Sequence, residues 1–99
     1  MTYAIRGRRG GLDFLREAVT ADGTAYRAHP RSWHLALGRL GHLTRTVLTW
    51  RYGLDGREIR SARETASAIR AQTVYEVYPI QYAGLRELRK ALQVEQDGQ

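Results

Sequence analysis

A small, mainly α-helical domain with a helix-turn-helix in its second half is the fold this sequence predicts. Three observations carry that expectation. Apolar residues recur at helical spacing in successive stretches between Leu12 and Leu92. Ser61-Ala62-Arg63-Glu64 has the form of a capping box, in which Ser61 accepts from the amide three residues on and Glu64 reaches back. Between one such stripe and that box lies Trp50-Arg51-Tyr52-Gly53-Leu54-Asp55-Gly56-Arg57-Glu58, with Gly53 placed to end a helix in the left-handed conformation. The chain from Trp50 to Leu92 is organised about that turn: a capped helix, an aromatic segment and a long helix follow it.

Residues 1–10 carry Arg6, Arg8 and Arg9 with no acid before Asp13, and Gly7, Gly10 and Gly11 loosen the backbone. They read either as a basic arm that tracks phosphates or as a solvated terminus. Leu12, Leu15 and Val19 share one face of a short helix, with Phe14 and Ala18 beside it. Asp22-Gly23 is a turn signal. Thr24 to His29 is extended in character, and Pro30 bars a helix at His29. The sequence therefore admits a short β-hairpin between residues 2–6 and 24–29.

Arg31 to Leu40 is the next predicted helix, capped by Ser32, with Trp33, Leu37 and Leu40 inward. Another runs from about Leu43 to Tyr52, with Leu43, Val47, Trp50 and Leu54 on one side. The helix that begins at Ser61 turns Ala62, Ala66 and Ile69 inward and ends near Arg70. Thr73-Val74-Tyr75-Glu76 is formally a second capping box, yet Thr73 to Tyr78 also alternates like a strand. A distorted first turn, with the regular helix beginning at Pro79, reconciles the two. From there Ile80, Gly84, Leu88 and Ala91 form one edge of a stripe and Leu85 and Leu92 the other, leaving Arg86, Arg89 and Lys90 to face out. One core is expected to hold Trp33, Leu37, Leu40, Val47, Trp50, Leu54, Ile69, Leu85 and Leu88. Residues 1–30 form the basic extension, 31–94 the helical domain and 95–99 a polar tail.

Composition bounds the function. Ninety-nine residues suffice for one modest core, and without cysteine there are no disulfides or thiolate–metal sites. No apolar run approaches a membrane span and no signal-peptide core opens the chain, so a cytoplasmic protein is expected. The net charge of +6 favours a polyanionic partner, nucleic acid before membrane. Fifteen of the sixteen basic residues are arginine, the side chain suited to phosphate and guanine because its fork is bidentate. A GC-rich genome would write the same bias, so placement says more. Residues 1–50 carry net +5 and residues 51–99 net +1, which puts the excess outside the presumed reading helix. Catalytic signatures are absent from the sequence. His29, His34 and His42 do not share a helix turn, and there is no phosphate-binding glycine loop, nucleophile elbow or evident carboxylate pair. The expectation is a non-enzyme without a cofactor or metal.

Residues 35–92 resemble region four of the bacterial sigma-70-family sigma factors. Leu37, Leu40, Arg45, Val47-Leu48 and the block Arg51-Tyr52-Gly53-Leu54-Asp55-Gly56-Arg57-Glu58 carry the likeness. Glu64, Ala66, Ile69, Val77, Ile80 and Leu85-Arg86-Glu87-Leu88-Arg89 continue it, with about one inserted residue between Ile69 and Val77. The resemblance implies four helices, the last two a helix-turn-helix, docking on the β flap of RNA polymerase, and contact with promoter DNA. Family members open the recognition helix with an Arg-Glu-Arg-rich stretch, whereas no arginine lies between Ala71 and Leu85 here. The usual guanine contacts are thus missing from the expected place.

Arg60, Arg63, Arg70 and Arg86 flank the helix-turn-helix as candidate phosphate contacts, with Arg6, Arg8 and Arg9 as an arm. Gln72, Thr73, Gln81 and Tyr82 are candidate base contacts, Gln81 foremost because glutamine pairs bidentately with adenine. The leading expectation is a small transcription regulator, of the kind a phage or mobile element encodes, that binds duplex DNA or RNA polymerase. The chain leaves no room for the other sigma domains, so a complete initiation factor is not expected. The alternative is a protein-binding module, such as an inhibitor of a host nucleic-acid machine, with Tyr75, Tyr78 and Tyr82 as its contact surface.

Overall fold

The computed structural model describes residues 10–19 and 30–97. They form five α-helices: α1 (Leu12–Val19), α2 (Pro30–Gly38), α3 (His42–Tyr52), α4 (Ala62–Ala68) and α5 (Val77–Asp97). A 3-10 turn, Val74–Glu76, leads into α5. The domain is mainly α-helical, as the apolar spacing predicts, and no extended strand occurs among the described residues. The N-terminal hairpin and the arm at Arg6, Arg8 and Arg9 lie outside those residues. No described helix is long and apolar enough to cross a membrane.

Local chemistry sets the helix ends. α2 starts at Pro30 rather than after a Ser32 cap, because proline is preorganised for the first helical position. α3 ends at Gly53, whose φ of 63° is left-handed, and the N–H groups of Gly53 and Leu54 both donate to the Thr49 carbonyl. α4 carries the complete Ser61–Glu64 capping box. It ends in a Schellman arrangement. The Ala71 N–H donates to the Ala66 carbonyl and the Arg70 N–H to that of Ser67, with Arg70 itself at φ 59°. The ambiguous stretch after Thr73 is helical, not a strand. The Thr73 N–H donates to Glu76 Oε2 at 2.9 Å, and the 3-10 turn runs into α5 two residues before Pro79. Pro79 thus falls in the first turn, where no intrahelical N–H bond is required. α5 also continues past Glu95 to Asp97, where a polar tail is expected from the sequence.

α5 is the central element and packs against all four other helices. Two apolar clusters lie along it instead of the single core expected. The larger holds Leu15 and Val19 of α1, Trp33 and Ala36 of α2, Leu40 of the α2–α3 connection, Leu48 and Tyr52 of α3, and Leu85, Leu88 and Leu92 of α5. Burying one such leucine is worth about 1.5–3 kcal/mol. The smaller cluster joins Val47, Ala62, Ala66 and Val77, with Ile69 and Ile80 against it. Adjacent Val47 and Leu48 face different clusters, so α3 is the wall between them. The α3 stripe is rotated from the one expected: Leu43 is 48 % exposed and Trp50 half-buried, while Leu48 and Tyr52 are inside. Close approach explains the rotation. A Cβ on Gly84 would stand 2.7 Å from Thr44 Cγ2 and 3.1 Å from Leu48 Cδ1, so this glycine lets α5 press against the Thr44–Leu48 face.

Gly10 is a packing residue, not a loosening one. A Cβ there would run into the Tyr52 carbonyl, and the Gly11 N–H donates to that same carbonyl at 2.6 Å. The entry to α1 therefore lies directly on the end of α3. Arg89, expected to face out, is half-buried. Its guanidinium donates twice to the Val19 carbonyl, at 3.1 and 2.9 Å, and caps the C-terminus of α1.

Candidate functional site

The candidate residues divide into a structural set and a surface set. Arg60 belongs to the first. Its guanidinium donates to both Asp55 oxygens, at 3.0 and 2.8 Å, and lies 4.5 Å from the centre of the Trp50 ring. The Arg60 side chain is 10 % exposed. The paired guanidinium holds the Asp55 carboxyl at a pKa of about 2. Asp55 in turn keeps Arg60 protonated above its ordinary range. An arginine committed to a carboxylate and a ring face is a fastener of the 53–61 loop, and its assignment to phosphate is corrected accordingly.

Gln81 is the second correction. It is 6 % exposed. Arg51 Nε donates to its Oε1 at 2.9 Å, and its Nε2 donates to the Tyr52 hydroxyl at 3.1 Å. Arg51 also donates to the Arg60 carbonyl at 2.7 Å. Burial pushes the Tyr52 hydroxyl pKa up, opposed by the Gln81 hydrogen bond and the nearby Arg51 charge. This network ties the end of α3 to the loop and to α5. Gln81 cannot reach a base edge without breaking it. The apolar α5 stripe conceals this in the sequence, because an isolated glutamine beside it reads as surface.

The surface set occupies α4, the turn after it and the first half of α5. Arg63, Arg70, Gln72, Thr73 and Arg86 are all exposed. Tyr75 is 76 % and Tyr82 52 % exposed. Tyr78 is half-buried against the smaller cluster. The Tyr78 and Tyr82 rings are nearly parallel, 20° apart, with centroids separated by 6.4 Å. Glu64 is used internally: its carboxylate accepts from the Ser61 N–H, which lowers its pKa.

Trp50, expected in the core, is half-buried and stands at a second surface. Two open grooves meet at that ring. One is lined by Trp50, Arg57, Glu58, Ile59, Arg60 and Glu64, the other by His42, Arg45, Thr46, Thr49 and Trp50. The polar spacing of His42, Arg45, Thr46 and Thr49 along α3 is the signal that marks this face. Among the described residues no three histidine or carboxylate side chains gather as a metal site. Comparison of the chain with family models, with curated proteins and with solved structures finds no match.

Proposed function

We propose that this protein is a small transcription regulator that binds nucleic acid through a helix-turn-helix made of α4 and α5, in the manner of sigma region four. The observation that carries the reading is the exposed set Arg63, Arg70, Gln72, Thr73 and Arg86 around the start of α5, on a chain of net charge +6. The capped α4, the turn of residues 69–73 and the long α5 with its 3-10 lead-in present the N-terminal part of a helix to solvent, as groove docking requires. With Gln81 internal and no arginine between Ala71 and Leu85, affinity rests on phosphates more than on base edges. The grooves at Trp50 and the exposed Leu43 offer a separate face for RNA polymerase.

Gel shifts on random and promoter-like duplexes at two salt concentrations test the reading. Both duplexes should be bound with similar affinity. Arg63→Ala or Arg86→Ala should weaken binding on both and lower the salt slope by about one. Absence of duplex binding at both salts would end the duplex reading.

A further inference from the structure

The tyrosines on α5 are more than replacements for absent arginines. Tyr78, Tyr82 and Arg86 follow one another at i, i+4 and i+8 along one face of α5, and Tyr75 stands on the same side one turn earlier. Glu76 and Glu87 lie roughly 120–140° round the helix from the middle of that stripe. Glu76 is further tied down by the Thr73 N–H. The stripe itself is therefore three rings and one cation, Arg86, with the acids set to its flank.

Its geometry suits flat ligands better than groove edges. Tyr78 is held against the smaller cluster, and its ring lies nearly parallel to that of Tyr82. Tyr78, packed in place, loses little freedom when a base stacks on it, and the exposed Tyr82 offers a nearly parallel face beside it. From Tyr75 to Arg86 the stripe is about 16 Å long, the length of roughly five stacked nucleotides at ~3.4 Å each. In a closed duplex the base faces are occupied by their neighbours, and a tyrosine ring meets only base edges. In a single strand the faces are open, and aromatic stacking with flanking arginines is the usual mode of capture.

We infer that the Tyr75-Tyr78-Tyr82-Arg86 stripe is a stacking surface for unpaired bases, so that the protein favours single-stranded or locally opened nucleic acid over closed duplex. This rests on the nucleic-acid reading above and narrows it. The charge of the stripe favours a polyphosphate over a protein partner.

Fluorescence anisotropy of the full chain with a short labelled oligonucleotide of mixed sequence, as single strand and as closed duplex, tests the inference. The single strand should bind about tenfold tighter. Tyr82→Ala should weaken strand binding by roughly 5- to 150-fold, while Tyr82→Trp, which keeps a π face, should retain it. Thermal melts of both variants control for folding, and the exposure of Tyr82 predicts unchanged midpoints. Equal or tighter duplex binding, or strand binding unchanged in Tyr82→Ala, would overturn the inference while leaving the duplex reading standing. No binding to either probe would overturn both. Tyrosine-dependent retention of RNA polymerase core enzyme without strand binding would also overturn it, and would assign the stripe to protein.

Discussion

Gly53 and Arg70 hold left-handed backbone at the C-terminal ends of α3 and α4, and they differ in what the conformation does. At Gly53 the φ of 63° goes with a crowded Cβ position, since an added Cβ would stand 2.6 Å from the Arg57 carbonyl oxygen and 3.0 Å from Gly10 Cα. At Arg70 the φ is 59° and the side chain is exposed. Gly53→Ala should therefore cost about 2 kcal/mol or more, from dihedral strain plus the clash. Arg70→Gly should raise stability by up to about 1 kcal/mol, because relief of roughly 1–2 kcal/mol of strain is partly offset by glycine's greater chain entropy. Chemical denaturation of the two variants checks the pair. A neutral Gly53→Ala would show that the loop relaxes around the new Cβ.

Elements were legible where one face meets one environment. α1, the Ser61 cap and the Gly84–Leu88 stripe follow from spacing and capping chemistry alone. α3 was misread because it faces two clusters, and a helix between two apolar environments has no single stripe to find. Leu43 and Trp50 lie at helical spacing from Val47 and imitate one. The site was less legible, since Arg60 and Gln81 are exposed-type residues consumed by long-range partners. Asp55, Arg51 and Tyr52 become those partners only after folding. The α3–α5 contact offers a test at this scale. Gly84→Ala should destabilise in the native background, because the new methyl meets Thr44 Cγ2, which has little freedom to move. With Thr44→Ser, which removes that methyl, the same substitution should approach the helix-propensity gain of about 1 kcal/mol. Additive effects of the two changes would show that Thr44 is not what excludes a side chain at position 84.

For the molecule as a whole, acid should act first on the loop that joins the two clusters. The Asp55 pKa is about 2 against an ordinary 3.8, a lowered value caused chiefly by the Arg60 hydrogen bonds. A lowered carboxyl pKa stabilises the fold above the unfolded value. That contribution is complete above about pH 4 and disappears as pH falls towards about 2. Asp55→Asn should cost about 1 kcal/mol near neutral pH, a modest figure because a third of the Asp55 side chain stays in water. The stabilities of variant and native protein should converge as pH falls to 2. Equilibrium unfolding across that range provides the measurement. A constant gap down to pH 2 would mean that the ion pair is not what Asp55 contributes.

The bond from Arg89 to the Val19 carbonyl joins residues seventy positions apart. It sets an order on biosynthesis. While a chain emerges from the ribosome, α1 is made seventy residues before the arginine that caps its C-terminus. Leu85, Leu88 and Leu92, which complete the larger cluster, arrive in the same stretch as Arg89. The smaller cluster needs nothing beyond Val77 and its neighbours, so α3 and α4 can associate while α1 and α2 still wait for the second half of α5. Closing the larger cluster over so long a stretch of chain is entropically costly and correspondingly slow. Until it closes, Trp33 and the leucines that the second half of α5 covers stay open to water.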